Sequence, residues 1–249
     1  MYPTATPVPR TTSAPALRAL AEQREVLERF HLGLDAERRG DWQAASAEFE
    51  RIIALHPAEP QNSTARYDLA IAYVNLHRLD DAAQQLQDAI ARDPGFLAAM
   101  ANLIAVDLDR GDLRDARAVA DRFVAAAPDS ARAMYERGLV ALRLGDSATA
   151  QNDFGRLLHA NPAYAVAHYD LGLAQAHANR YDSAEREFQL ALDLAPGYAR
   201  ARFALGTILL REGKRTQARA AFDIVAADAA GDPALRNLAV AMRDAIKTH

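Results

Sequence analysis

Apolar residues fall at helical spacing in stretches of about 14 residues, and the stretches come in pairs separated by a short polar turn. The turns carry Gly40-Asp41, Gly111-Asp112, Gly145-Asp146 and Gly213, and the second stretch of a pair ends before a proline. Glycine supplies a left-handed C-cap, aspartate caps the helix that follows, and proline is tolerated at a helix end but not inside one. Each pair therefore predicts an antiparallel helical hairpin.

The hairpins repeat. Pro94, Pro128, Pro162 and Pro196 are each 34 residues apart, and Pro57 precedes Pro94 by 37. Ala45, Ala82, Ala116, Ala150, Ala184 and Ala218 keep the same spacing with the same single offset, as do Phe49, Leu86, Ala120, Phe154, Phe188 and Phe222. An alanine-rich chain generates chance alanine periodicity. Proline and phenylalanine in the same register do not arise that way.

These residues resemble the tetratricopeptide repeat pattern, most clearly in Leu171-Gly172, Ala184, Phe188 and Pro196, and in Leu205-Gly206, Ala218 and Phe222. The matching units are 26–59, 63–96, 97–130, 131–164, 165–198 and 199–232. The resemblance implies an all-α, right-handed solenoid of antiparallel helical hairpins over 13–249. Four positions depart from the pattern: Ala70 and Ile104 stand where glycine is usual, Arg137 replaces the leucine before Gly138, and Ala230 replaces the last proline. Ile104 predicts a slight splay of the third hairpin.

Residues 234–247 read as an amphipathic capping helix, with Leu235, Leu238, Met242 and Ile246 inward and Arg236, Arg243 and Asp244 outward. At the other end, Ser13 is a candidate cap for a helix that begins at Pro15 and that nothing interrupts before Gly40, so the first helix is expected either to be long or to be preceded by an extra one. Residues 1–12 are a Pro/Thr-rich leader expected to be disordered. Such a leader also resembles the linker left by a removed signal or anchor, which keeps both a cytoplasmic and a periplasmic location open.

Composition agrees with a folded, helix-rich and soluble chain: half the residues are hydrophobic and a quarter are charged. The formal charge is −4 with both signs interspersed and no basic block, so nucleic acid is not an expected partner. Without cysteine there is no disulfide, thiolate or Cys-type zinc chemistry. No apolar run is long enough to span a bilayer.

Chemical motifs are absent by pattern: no phosphate loop, nucleophile elbow, zinc-protease helix or dinucleotide fingerprint occurs. No cofactor is expected, and no enzyme. His168 and His177, nine residues apart, fall on opposite sides of one helix and do not share a metal. The run Asp107-x-Asp109-x-Gly111-Asp112 has its glycine one position early for a calcium loop and lacks the closing glutamate. Arg110-Gly111-Asp112 reads as the hairpin turn, Asn62-Ser63-Thr64 as a helix-capping loop rather than a glycosylation site, and Trp42 as a core aromatic.

In the family that this chain resembles, the first helix of every hairpin lines the concave face. Extrapolating that register gives an aromatic row, Phe30, Tyr67, Ala101, Tyr135, Tyr169 and Phe203, beside a polar row, His31, Asp68, Asn102, Glu136, Asp170 and Ala204. One turn along lie Leu34, Ile71, Ala105, Leu139, Leu173 and Thr207. Peptide-binding relatives often place asparagine in this third row. Its aliphatic character here implies an apolar floor without a clamp for a terminal carboxylate. The candidate partner-binding residues are thus Phe30, Tyr67, Asp68, Ile71, Asn102, Tyr135, Glu136, Leu139, Tyr169, Asp170, Leu173 and Phe203. Arg38, Asn75, Asp109, Arg143, His177 and Arg211 end the frame and read either as one of two rims of opposite sign, with the acidic row as the other, or as solvated surface.

The resemblance implies a scaffold or adaptor that holds a hydrophobic or amphipathic segment. The occupant is a partner helix, an extended peptide, a second copy, or the chain's own N-terminal region with Leu17, Leu20 and Leu27 folded inward. The alternatives are a structural protein that self-assembles through repeat ends or groove, and a non-catalytic subunit of an enzyme or envelope machine.

Overall fold

The computed structural model describes residues 14–228 and 231–246, so Ser13, the leader, Ala230 and Lys247 lie outside the described residues. Among the described residues there are thirteen helices and no strand. They run α1 (Ala14–Arg38), α2 (Trp42–Ala54), α3 (Gln61–Asn75), α4 (Leu79–Arg92), α5 (Leu97–Arg110), α6 (Leu113–Ala126) and α7 (Ala131–Arg143). Then follow α8 (Ser147–Ala160), α9 (Ala165–His177), α10 (Tyr181–Leu194), α11 (Ala199–Arg211), α12 (Arg215–Ala227) and α13 (Pro233–Ala245). The helices belong to an all-α repeat solenoid. The chain forms two compact units, 1–106 and 107–249, and their boundary falls inside α5.

The turn inside each hairpin closes the same way six times. Gly40, Gly111, Gly145 and Gly213 take φ between 71° and 80°, and His77 and Asn179 fill the equivalent places at 57° and 59°. The next backbone N–H then reaches back five residues, as Asp41 N to Ala36 O at 2.9 Å and Asp146 N to Ala141 O at 2.8 Å, which satisfies a carbonyl left open by the ending helix. Asp41 and Asp146 go on to cap the next helix, accepting from the N–H of Ala44 and Thr149.

All six residues of the alanine ladder are fully buried, and so are Phe49, Phe154, Phe188 and Phe222. The last four sit opposite glycines of the partner helix. A Cβ on Gly33, Gly138, Gly172 or Gly206 would come within 2.6–2.9 Å of the ring of Phe49, Phe154, Phe188 or Phe222. The repeats that lack the glycine also lack the ring: Ala70 stands with Leu86, and Ile104 with Ala120, each sixteen residues apart as in the glycine repeats. At Ala70 and Leu86, both in the first unit, volume is traded between the two positions.

A polar bridge also recurs between the two helices of a hairpin. Arg29 donates to Glu48 at 3.0 Å, Arg66 to Gln85 at 2.7 Å, and His168 meets Glu187 at 2.7 Å, always nineteen residues on. In the fourth repeat Met134 takes the cation's place, and the cation appears one turn later as Arg137. Arg137 grips the fully buried Asp153 with two hydrogen bonds of 2.7 Å. The departure at Arg137 is thus a bridge moved by one helical turn, and removing either partner would strand a buried charge.

The ends refine the sequence reading. In α13 and the residue that follows it, Ala239 and Ile246 are buried and Leu235 and Met242 pack on the core of the second unit, but Leu238 is 56% exposed. Residues 235, 239, 242 and 246 form the inward stripe, which leaves Leu238 at its edge. The long first helix is present, and it runs unbroken from Ala14. Leu17, Leu20 and Leu27 on it are more than half exposed rather than folded inward.

Gly172→Ala should destabilise the protein by about 1–3 kcal/mol through overpacking against the Phe188 ring. Adding Phe188→Leu, which copies the Ala70/Leu86 pair, should recover part of the loss, so the two changes couple in a double-mutant cycle by urea denaturation. Strictly additive losses would show that the glycine and the ring are not a pair.

Candidate functional site

The odd-numbered helices α1 to α11 carry the candidate residues. In the first unit, Phe30 lies 6.2 Å, centroid to centroid, from Phe49, and Tyr67 lies 5.0 Å from Phe96. Asn102 donates to the Tyr67 hydroxyl at 3.2 Å. Ile71 and Asp68 beside them are half-buried. Burial, and then the neighbouring charge of Glu37, push the Asp68 carboxyl up to about 7.

The second unit repeats the scheme more fully. Tyr135 sits 5.9 Å from Phe154 and 5.7 Å from Tyr164, and Tyr169 sits 5.9 Å from Phe188 and 5.1 Å from Tyr198. Phe203 lies 5.3 Å from Phe222. The Tyr135 hydroxyl donates to Asp170 Oδ2 at 3.0 Å. Asp170 is only 5% exposed, and burial raises its carboxyl to about 6 even against the hydrogen bond from Tyr135. Glu136 is also shifted up by burial, partly offset by Arg132 at 3.6 Å. Leu139 and Leu173 are half-buried next to these groups.

The register expected from the sequence thus gathers Phe30, Tyr67, Asp68, Ile71 and Asn102 in one unit. Tyr135, Glu136, Leu139, Tyr169, Asp170, Leu173 and Phe203 lie in the other. The aromatic row is not a free floor. Each tyrosine packs against the aromatic that closes its own repeat, Phe96, Tyr164 or Tyr198, twenty-nine residues further on, and Tyr135 and Tyr169 also meet a second-helix ring. That fixed spacing is the sequence signal that would have found them.

At the C-terminal end of this face, α9, α10, α11 and α13 enclose a cleft of about 670 Å³. Tyr169, Leu173, Phe203, Ile208 and Leu235 supply its apolar lining. Arg200, Arg211 and His177 stand around it. Arg211 is steadied by Tyr181, whose hydroxyl accepts at 3.3 Å and whose ring centroid is 5.6 Å from the guanidinium carbon. Arg200, Tyr181 and Leu235 were not legible as site residues, because the cleft needs four helices to assemble.

Other marked residues have structural partners. His168 is buried between Glu187 and the carbonyl of Pro162, well away in role from the exposed His177. Asn62 is 3% exposed in the first turn of α3, where it accepts from Arg66. Asp107 pairs with Arg110. Among the described residues no group of three or more His, Asp or Glu could hold a metal ion, and no helix is long and apolar enough to cross a membrane.

Tetratricopeptide repeat profiles match residues 30–95, 106–150 and 135–199, and a second profile of the same repeat matches 180–241. The chain is a tetratricopeptide repeat protein. No curated protein matches it significantly. Among solved structures, PilW, described as a widely conserved type IV pilus biogenesis factor, is 19% identical with a TM-score of 0.70, over 86% of this chain and 97% of that one. MamA from Desulfovibrio magneticus RS-1, residues 41 to the end, is 21% identical with a TM-score of 0.63, over 68% and 95%. YrrB, described as a TPR protein with an unusual peptide-binding site, is 18% identical with a TM-score of 0.64, over 82% and 100%. At these identities the likeness is one of fold.

The Asp170 carboxyl gives this tetratricopeptide face a pH signature. Its folded value, about 6, lies above the ordinary 3.8, so the folded state holds the proton more tightly. The stability it costs is absent below the ordinary value, grows as pH rises through that window, and is complete above the folded value. Asp170→Asn should therefore melt above the parent at pH 7.5, with the gap closing as pH falls to about 4. A gap independent of pH in paired thermal melts would contradict the assignment.

Proposed function

We propose that this tetratricopeptide protein is a non-enzymatic scaffold that holds a hydrophobic or amphipathic segment of a partner protein along the first-helix face. The observation that carries the reading is the cleft in the second unit, where half-buried Leu173 and Phe203 meet open space next to ordered aromatic rings. Such a surface gains by burying apolar area, at about 25 cal/mol per Å². The family supports an interaction scaffold in general terms, and YrrB is described as having a peptide-binding site.

A second reading, self-association, is favoured by α1. Leu17, Leu20, Leu27 and Leu32 are each more than half exposed on it, and Leu27 borders a hollow of about 450 Å³ with Leu55 and Pro57.

Alanine at Tyr135 or Tyr169 is a poor probe, since each ring also holds neighbouring rings in place. Photo-crosslinking residues at Ile71, Leu139 and Leu173, with Gln84 and Gln189 as controls, test the reading without removing a ring. In cells the three groove positions should give a shared adduct with a different protein, and the exposed controls should not. Equal adducts from the controls would place binding elsewhere, and adducts only with the chain itself would favour the second reading.

A further inference from the structure

The cleft has a charge character that neither the net charge nor the acidic row foreshadows. The whole chain carries −4, and three of the candidate site residues are carboxylates. Yet no carboxylate lines the cleft among the described residues, whereas two arginines and a histidine do. Nearby acids are engaged elsewhere. Asp170 is held by Tyr135, and Glu185 and Glu212 face Lys214 at 2.7 and 2.8 Å.

The two arginines differ in how they are held. Arg211 ends α11 and rests on Tyr181. Arg200, the second residue of the same helix, is exposed and forms no ion pair among the described residues, and its charge reaches Tyr169 and Tyr198. They stand at the two ends of one thirteen-residue helix, and between them Phe203, Ala204, Thr207 and Ile208 face the cleft. An occupant lying along α11 meets a cation, then an apolar stretch, then a second cation.

We infer that the cleft selects an acidic amphipathic segment of the partner protein, with apolar side chains against Leu173, Phe203 and Ile208 and carboxylates toward Arg200 and Arg211. This rests on the groove reading above and deepens it by naming the partner's chemistry. The apolar contacts supply most of the affinity, and the two cations set orientation and reject basic segments. Because the arginines flank the apolar stretch rather than cap it, the selected carboxylates belong to side chains within the segment and not to a chain terminus.

The test uses the full chain and two fluorescent helical peptides of about 14 residues, both acetylated and amidated, one of Leu, Ala and Glu and the other of Leu, Ala and Lys. By anisotropy at low salt, the Glu peptide should bind at least roughly fivefold more tightly, and added salt should erode the difference. Arg200→Glu with Arg211→Glu should reverse the order, and gain of the Lys peptide certifies that the variant is folded. Equal affinities in the parent, or an unchanged order in the variant, would overturn the inference. If equal binding were still lost on Leu173→Gln, the groove reading would stand without charge selection. Failure of both peptides to bind would count against both.

Discussion

The contact on which a hairpin depends is a phenylalanine ring laid against the bare backbone of a glycine. Phe188 on Gly172 and Phe222 on Gly206 bring α9 to α10 and α11 to α12 so closely that a methyl group would have no place. Burying such a ring is worth about 2–3 kcal/mol, but its larger effect is geometric. It fixes which face of the first helix is left over, and that remaining face carries the tyrosines, the carboxylates and the cleft.

The same economy of volume explains why the repeats tolerate variation. Where glycine gives way to alanine the ring shrinks to leucine. The polar bridge obeys a similar rule, since the cation lost at Met134 returns at Arg137 to meet a carboxylate that has no access to water. Each exchange conserves a pairwise quantity, volume in one case and charge in the other, so neither position is readable in isolation.

Much of the architecture was legible because it is periodic: the ladders through Ala184 and Phe188 are core ladders, and Gly145-Asp146 is a capped turn. The candidate rows also fell on the helices expected. What the sequence did not disclose depends on stacking between elements. Leu238 lies at the edge of a stripe whose orientation only the neighbouring helices decide. Leu17, Leu20 and Leu27 have helical spacing without a surface to meet. The tyrosines read as open floor because their ring partners lie twenty-nine residues further on, beyond the second helix of the repeat, and the cationic cleft forms only where α9, α10, α11 and α13 pack together.

In the second unit the first-helix face is thus partly spent on holding repeats together and partly open, with the buried acid Asp170 and the cations Arg200 and Arg211 beside the cleft. The central claim is that the open part, on α9, α11 and α13, receives a partner segment. It is tested most directly by backbone amide NMR of the labelled chain titrated with the acidic Leu/Ala/Glu peptide. The account predicts shifts concentrated on α9 and α11 and at Leu235, with α8 and the outer face of α10 undisturbed. Shifts confined to α1 or to the outer faces of the second helices would contradict it.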